Sequence, residues 1–167
     1  IDLNPSAIKF GRKRGLDLEQ KELKDLPTNF KYDVITLFDV LEHLVDPSNI
    51  IENIKKYLSN EGIISLYVPN YDSASRYLMN KDAHFIWPSH HLTYFTIKTI
   101  SNFLENREFE ILEVKTEGLD IFDYIWWEEN IKKHDVSSIS KIANNLQFFV
   151  NAGGYGKNLR VIAKYVG

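Results

Sequence analysis

The sequence predicts an α/β fold of the Rossmann-like kind, in which helices cover both faces of a mostly parallel sheet. Two near-continuous apolar runs, Tyr32 to Phe38 and Ile63 to Val68, are typical of strands that are buried on both faces. A helical pattern lies between these runs and others flank them, as expected for parallel βαβ units. Two further strands are predicted at Phe109 to Val114 and at Leu159 to Val166.

Capping residues mark the helices of this alternation. Asn4-Pro5 and Asp46-Pro47 each combine an N-cap with a proline at the first helical position. Gly15 is predicted to end the first helix, and the second is predicted to run to residues 60–62. Thr96 is predicted to cap a third helix. The buried faces predicted for the second and third helices consist of Ile50, Ile51, Ile54 and Leu58, and of Ile97, Ile100, Phe103 and Leu104.

Composition limits the classes of function. The chain has 167 residues, the length of one domain, with 44% hydrophobic and 26% charged residues. Its net charge of −3 disfavours nucleic-acid binding, because phosphate recognition needs clustered Lys and Arg. The absence of cysteine excludes disulfides and thiolate sites and fits a cytoplasmic protein. No apolar run approaches the roughly 18 residues of a membrane-spanning helix, so we expect no membrane association.

Two long connections interrupt the alternation, at residues 70–95 and 118–158. The first is rich in aromatic and histidine residues, and the second contains Trp126-Trp127. Long connections inside a compact domain are usually functional elements. We therefore interpret both as pocket walls or lids, and Trp126-Trp127 as part of a lid helix or of a dimer contact.

A carboxylate follows the first short apolar pattern of the chain. In open α/β sheets, ligands bind beyond the carboxyl ends of the strands. Ile1-Asp2-Leu3 has the pattern of a strand that ends in an acid, and such an acid accepts hydrogen bonds from ribose hydroxyls about 20 residues after a glycine-rich loop. That loop would precede Ile1. A role for Asp2 as an acid at the start of the following helix, without a ligand, explains the pattern equally well.

Several segments resemble, in order, the core of class I S-adenosylmethionine-dependent methyltransferases. GLDLEQKELKDLP, which starts at Gly15, resembles the segment with that family's third strand. FKYDVITLFDVLEHLVDP from Phe30 resembles the fourth strand with its loop, and EGIISLYVPN from Glu61 resembles the fifth strand. WPSHHLTYFTIKTISNFLENREFEILEV from Trp87 resembles a segment common in small-molecule methyltransferases. The resemblance covers Asp2 to Val114 and the last strand.

The resemblance implies S-adenosylmethionine as the cofactor and a small molecule as the acceptor. The residues implied at the cofactor are Asp2 with Leu3 at the ribose, Glu22 and Leu23 at the adenine, and Phe38, Asp39 and His43 at the methionine end. The residues expected at the acceptor are Trp87, His90 and Tyr94. His91 and His43 are the candidate catalytic bases, because an imidazole that titrates near neutrality suits removal of a hydroxyl proton. A structural, hydrogen-bonded histidine explains each of the two equally well.

A metal site is not predicted. His84, His90 and His91 lie close together in the sequence, but no acidic ligand stands at a recognisable spacing from them. We therefore expect methyl transfer through alignment of the acceptor and removal of its proton, without a metal.

The family's first strand and glycine-rich loop have no counterpart in the sequence. The resemblance therefore implies a Rossmann-like sheet that is incomplete at the N-terminus and has an antiparallel last strand. We expect unpaired sheet edges, impaired cofactor binding by this chain alone, and a homodimer that forms through those edges. The single domain is predicted to comprise a cofactor-side half at 1–69, acceptor-side insertions at 70–95 and 118–158, and closing elements at 96–117 and 159–167.

Two other functions fit parts of the sequence. A non-catalytic remnant or partner-binding module of the same fold would explain the missing loop, but it would not explain the retained Asp2, Glu22 and LEH residues. A NAD-dependent oxidoreductase also uses an acid after its second strand, but the LFDVLEH and WPSHHLTYF segments argue against it. The sequence does not identify the acceptor or the methylated atom.

Overall fold

The sheet has four strands, and three of them point in the same direction. A computed structural model describes residues 1–167 and contains β1 (Tyr32–Phe38), β2 (Leu58–Pro69), β3 (Phe109–Glu117) and β4 (Asn158–Tyr165). Their order in the sheet is β1-β2-β4-β3. β1 and β2 are parallel, and β4 is antiparallel to both β2 and β3. The predicted mostly parallel sheet with an antiparallel last strand is confirmed.

Seven α-helices accompany the sheet, and the predicted caps form. Asn4 accepts the backbone N–H groups of the first turn of the first helix, and Asp46 accepts one in the second helix. Thr96 and Thr99 form a reciprocal capping box in the fourth helix. The helices are α1 (Pro5–Lys13), α2 (Pro47–Ile54), α3 (Ala74–Met79), α4 (Ile97–Glu105), α5 (Asp120–Trp127), α6 (Ser137–Ser140) and α7 (Ala143–Ala152). Shorter helical turns occupy Leu23–Asp25, Leu41–His43, Asn80–Asp82 and Glu128–Lys132.

The core lies on the two central strands, β2 and β4. Leu66 on β2 and Val161 on β4 are fully buried, and α2 and α4 pack Ile51 and Ile100 into the same cluster. Burial of each such side chain contributes about 1.5–3 kcal/mol to folding. The predicted helical faces therefore point into the core except at Ile97, which is 38% exposed, and at Leu58, which belongs to β2.

The second helix is shorter than the sequence predicts. It ends at Ile54, and the chain enters β2 at Leu58 instead of continuing to residues 60–62. The backbone N–H of Tyr32 donates to the carbonyl of Tyr57 at 2.7 Å, and Tyr32 pairs with Leu58. Strand pairing thus replaces the last helical turn, and residues 59–62 form an irregularity in the register between β1 and β2.

The N-terminal segment does not form the strands that its sequence predicts. Asp2 and Gln20 form one isolated parallel bridge, and no ladder extends from it. Neither segment pairs with β1, so the outer edge of β1 has no neighbouring strand within residues 1–167. Val34 and Phe38 on β1 are exposed, with 55% and 56% of their surfaces accessible, so the prediction that both faces of this strand are buried is wrong for β1. The expected unpaired edge is therefore present.

Both long connections lie where the carboxyl ends of the parallel strands meet, which we call the carboxyl edge of the sheet. β1, β2 and β3 end at this edge and β4 begins there, because Asn158 pairs with both Pro69 and Glu117. Ligand sites of open α/β sheets occur at this edge. No helix of the structure has the length and apolar character that a membrane span requires.

Candidate functional site

A tight turn at the end of β1 forms one wall of the site. The backbone N–H of Asp39 donates to the carbonyl of Tyr67 at 2.9 Å, which continues the pairing with β2. Asp39 has a φ of 53°, a left-handed conformation that Asp adopts more readily than most side chains. The chain then enters the helical turn Leu41–His43, in which Leu41 and Glu42 are buried.

The segment before α4 forms the opposite wall and is fastened to this turn. The backbone carbonyl of Glu42 accepts the N–H groups of Leu92 and Thr93 at 2.7 and 3.1 Å. His43 Nδ1 lies 2.8 Å from the carbonyl of His90. These three bonds bring residues that are about fifty positions apart into one site.

Glu42, His43 and His91 form a cluster in which one ligand atom of each lies within 4.8 Å of the others. The rings of His43 and His91 meet edge to face, with centroids 4.9 Å apart. His43 Nε2 lies 3.6 Å from Glu42 Oε1. The structure thus places the two predicted bases side by side and adds a carboxylate to them.

The carboxylate of Glu42 is the most unusual group of this cluster. The residue is only 1% exposed, and Oε2 has no hydrogen-bond partner. Burial raises the pKa of this carboxyl group, because the low-dielectric surroundings disfavour the charged form. Glu42 is the only residue in the chain whose buried side chain leaves a polar atom without a partner.

Both histidines of the cluster have the same hydrogen-bonding arrangement. His43 Nδ1 bonds the carbonyl of His90, and His91 Nδ1 bonds the carbonyl of Phe85 at 2.7 Å. A carbonyl oxygen only accepts, so Nδ1 carries the proton in each ring. The neutral rings therefore present an Nε2 lone pair, which accepts a proton or binds a metal.

The predicted acceptor residues divide between the cluster and the surface. Tyr94 lies beside His91, with ring centroids 6.2 Å apart, and its hydroxyl accepts the N–H of Trp87 at 3.0 Å. Trp87 and His90 are exposed and stack on each other with centroids 3.9 Å apart. A groove of about 470 Å³ adjoins Tyr94, and neither Trp87 nor His90 lines it. It is lined by Tyr71, Arg76, Asn80, Lys81, Ile86, Pro88 and Tyr94.

The predicted cofactor residues of the N-terminal segment are mostly exposed. Asp2 Oδ1 accepts the N–H of Asn4 at 2.7 Å, and Leu3 beside it is 63% exposed. Glu22 forms an exposed ion pair with Lys24 at 2.7 Å. Leu23 instead packs partly buried against the main core, and its carbonyl accepts the hydroxyl of a core tyrosine. Asp2 and Glu22 are thus free to meet a ligand, whereas Leu23 also has a structural role.

The insertions at 70–95 and 118–158 are joined by a polar network around Asp120. This residue is fully buried, and its carboxylate accepts the N–H groups of Ser75 at 3.0 Å and Lys157 at 2.8 Å. Gln147, which donates to the same carboxylate at 3.4 Å, accepts the N–H of Ile121 at 2.8 Å. Asp120 therefore fixes α3, α5, α7 and the start of β4 relative to one another.

Glu42 and Asp120 are the two important residues that the sequence argument missed. Glu42 precedes a predicted base in the LEH segment, so its adjacency to His43 was an available signal. Asp120 lies in an insertion without a recognised motif, and nothing in the sequence separates it from other helix-start acids. The remaining histidines lie elsewhere, with His84 3.6 Å from Asp123 and His134 2.6 Å from Glu128.

Comparison with known proteins identifies the kind of domain to which this site belongs. A family model described as a methyltransferase domain matches residues 1–114. A search of the curated proteins finds no significant match.

Solved structures of methyltransferases share the fold at low sequence identity. The match to a possible histamine N-methyltransferase from Thermotoga maritima covers 98% of this chain and 70% of that protein, with 14% identity and a TM-score of 0.63. The match to an S-adenosylmethionine-dependent methyltransferase from Mesorhizobium loti covers 98% of this chain and 77% of that protein, with 17% identity and a TM-score of 0.60. The match to the plantazolicin methyltransferase in complex with SAH covers 99% of this chain and 65% of that protein, with 17% identity and a TM-score of 0.59.

Proposed function

The chain belongs to the class I S-adenosylmethionine-dependent methyltransferases, and on that premise we propose that it methylates a small molecule between the β1 turn and Tyr94. The observation that carries this proposal is the pair of Nε2 lone pairs on His43 and His91 at the carboxyl edge of the sheet. On this proposal residues 1–69 form the cofactor-side half, and the insertions at 70–95 and 118–158 form the acceptor side.

The residues at the cofactor side have the chemistry that S-adenosylmethionine requires. Asp2 uses one carboxylate oxygen to hold the start of α1, which leaves the other for ribose hydroxyls. Phe38 and Asp39 stand at the end of β1, where an exposed ring and a carboxylate suit the methionine end and a sulfonium cation. Glu22 and Leu23 remain our proposal for the adenine.

The histidines handle the proton of the acceptor. S-adenosylmethionine supplies a methyl group on a sulfonium sulfur, and attack by an acceptor oxygen or nitrogen breaks the carbon–sulfur bond with both electrons left on sulfur. His91 Nε2 accepts the proton that the acceptor loses, and His43 lies against it at 4.9 Å to orient the ring. Correct alignment supplies the rest of the rate enhancement.

The groove beside Tyr94 favours an acceptor with an anionic group. Arg76 lies in the groove between the rings of Tyr71 and Tyr77, at 4.5 and 3.9 Å from their centroids, and Lys81 lies nearby. A cation that is held in this way binds carboxylate or phosphate with little loss of side-chain entropy. Trp87 and His90 stack on each other outside the lining of this groove, and we propose that they contact the acceptor from the protein surface.

Calorimetric titration with S-adenosylmethionine of the protein expressed from its complete reading frame tests the proposal. We expect binding in the micromolar range, and we expect His91→Asn to retain it while lowering kcat by roughly 100-fold. Asn keeps a donor for the Phe85 carbonyl and removes Nε2, and His84→Asn is the matched control that should change neither quantity. Absence of binding heat, or full turnover by His91→Asn, would contradict the proposal.

The open edge of β1 favours a second candidate function, pairing with another strand in a homodimer or with a partner protein. Exposed Val34 and Phe38 accompany a row of unpaired backbone groups. Light scattering after size exclusion tests this function, and Val34→Lys should reduce any association. A monomer at all concentrations would rule it out.

A further inference from the structure

The position of the Glu42 carboxylate calls for a partner that the protein does not supply. The residue is 1% exposed, and Oε2 has no hydrogen bond. Burial of a carboxylate without a hydrogen bond or a counter-charge costs several kcal/mol. A buried acid can also orient a histidine base through a hydrogen bond. Glu42 does not do so here, because its Oε1 lies 3.6 Å from His43 Nε2 and the Nδ1 of His43 bonds the carbonyl of His90 instead.

We propose that Glu42, His43 and His91 bind one divalent cation of the first transition row. Two imidazole nitrogens and one carboxylate oxygen are the donor set that Zn²⁺, Mn²⁺ and Fe²⁺ accept in proteins, and Mg²⁺ prefers oxygen donors alone. The three ligand atoms lie within 4.8 Å of one another. Atoms bound to one such cation at about 2.0–2.2 Å lie about 3–4 Å apart, so small side-chain rotations complete the site.

The outer hydrogen bonds of the two histidines match those of metal ligands. A histidine that binds a metal through one nitrogen almost always donates its other N–H to a carbonyl or carboxylate. The Nδ1 atoms of His43 and His91 do so, toward the carbonyls of His90 and Phe85 at 2.8 and 2.7 Å. No other group of three or more potential ligands occurs in residues 1–167.

The cation site is open on one side. The side chain of His43 is 41% exposed, so a ligand from outside the protein has access to a cation there, and Tyr94, which stands beside His91, lines the proposed acceptor groove. Three protein ligands with open positions are typical of catalytic rather than structural metals. The cation site itself does not depend on the identity of the acceptor, but its role in the reaction rests on the proposed function.

In that role the cation would activate the acceptor in place of the His91 base proposed above, because a cation bound at Nε2 occupies the lone pair that would otherwise accept the proton. A hydroxyl bound to the cation loses its proton to solvent, because coordination lowers the hydroxyl pKa. The oxygen then forms a bond to the methyl carbon, the carbon–sulfur bond breaks, and sulfur keeps the electron pair. His43 and His91 act as ligands in this step.

Metal titration of the full-length protein tests the site directly. After chelator treatment and dialysis, the protein is titrated with Co²⁺ alone and with Mn²⁺ alone, by calorimetry and by visible absorption for Co²⁺. We expect one cation per chain, with Co²⁺ bands that millimolar Mg²⁺ does not remove. Lack of stoichiometric binding would overturn the proposal.

Matched variants locate the bound cation. Glu42→Gln and His91→Asn should each weaken binding by at least about 100-fold, since loss of an outer partner alone costs 10–100-fold. His134→Asn removes a histidine that lies 2.6 Å from a carboxylate but has no third ligand, and it should bind the cation like the unaltered protein. Circular dichroism of the chelated variants establishes that they are folded. Unchanged affinity in both site variants would overturn the proposal.

The same protein separates this inference from the proposed function. S-adenosylmethionine binding is measured with and without chelator. Cation binding at Glu42 without any cofactor binding would support the cation site and contradict the methyl transfer. Cofactor-dependent methylation at an equal rate with and without the cation would support the methyl transfer and overturn the cation's role in it.

Discussion

Two regions of the protein are held in very different ways. The insertion layer, residues 70–95 and 118–158, is fastened by a fully buried Asp120 whose carboxylate accepts two backbone N–H groups. The N-terminal segment, residues 1–31, packs Leu23 against the core but has only one isolated β-bridge, and its Asp2 is exposed. The two acids have the same chemistry and opposite surroundings.

This difference predicts which acid serves stability and which serves binding. A buried carboxylate with several donors is costly to remove, because its donors are left without partners. An exposed carboxylate with one local hydrogen bond contributes little to the free energy of unfolding and keeps an oxygen for a ligand. Substitutions in the two regions should therefore separate stability from cofactor affinity.

Asp120→Ala should have the largest effect on stability. It leaves the N–H groups of Ser75 and Lys157 buried and unpaired, and we expect a loss of about 4 kcal/mol in the free energy of unfolding. Urea denaturation followed by circular dichroism measures this loss. Asp2→Ala is the control from the other region. A loss below about 1 kcal/mol would mean that Asp120 does not anchor the layer.

Gly156→Ala should destabilise the same layer by about 2 kcal/mol, because a well-packed site resists an added methyl group. Its Cβ would lie 2.6 Å from Asn151 Oδ1 and 2.7 Å from the backbone nitrogen of Glu117. The urea midpoint measures the effect. Gly15→Ala in the N-terminal segment tests space in the other region, since nothing lies within 4 Å of its Cβ and only its φ of 83° causes strain. Equal losses in the two variants would contradict the packing difference.

Asp2→Asn should weaken S-adenosylmethionine binding by roughly 10-fold, because an amide accepts hydroxyl hydrogen bonds less strongly than a carboxylate. The free energy of unfolding should change by less than about 0.5 kcal/mol, as for other exposed substitutions. Calorimetry and urea denaturation of the same sample measure both quantities. Unaltered cofactor affinity would remove Asp2 from the ribose site.

Glu22→Gln should have the smallest effect on stability. The ion pair with Lys24 is exposed on both sides, and such pairs contribute about 0–1 kcal/mol. We expect a change within about 0.5 kcal/mol, together with a modest loss of cofactor affinity if Glu22 contacts the adenine. Lys24→Gln controls for the ion pair. Equal affinity changes in the two variants would assign the effect to the pair and not to the adenine contact.

The sheet strands could be predicted because their sequences are near-continuous apolar runs. YDVITLF gave the bounds of β1, since a strand with apolar residues on both faces leaves few alternatives. The end of the second helix could not be predicted, because Tyr57 and Leu58 are apolar in either conformation. The pairing of Tyr32 with Leu58, which is a long-range contact, decides between helix and strand.

The meeting of the two candidate bases could be predicted, because the segments that contain them were both expected at the carboxyl ends of the strands. His43 and His91 meet as expected for residues at the same sheet edge, whereas their tautomers depend on the carbonyls of His90 and Phe85. The role of Glu42 depends on its burial, which arises from contacts with distant segments. The expectation of no metal rested on the spacing of His84, His90 and His91, whereas the cluster for which we propose a cation joins positions 42, 43 and 91.

The position of β4 has a consequence for synthesis. β2 and β3 have no direct pairing, because residues 158–165 lie between them and pair with both. The centre of the sheet therefore stays open until residue 165 has left the ribosomal exit tunnel, and folding follows translation of this segment. During that interval the facing edges of β2 and β3 have unpaired backbone N–H and C=O groups.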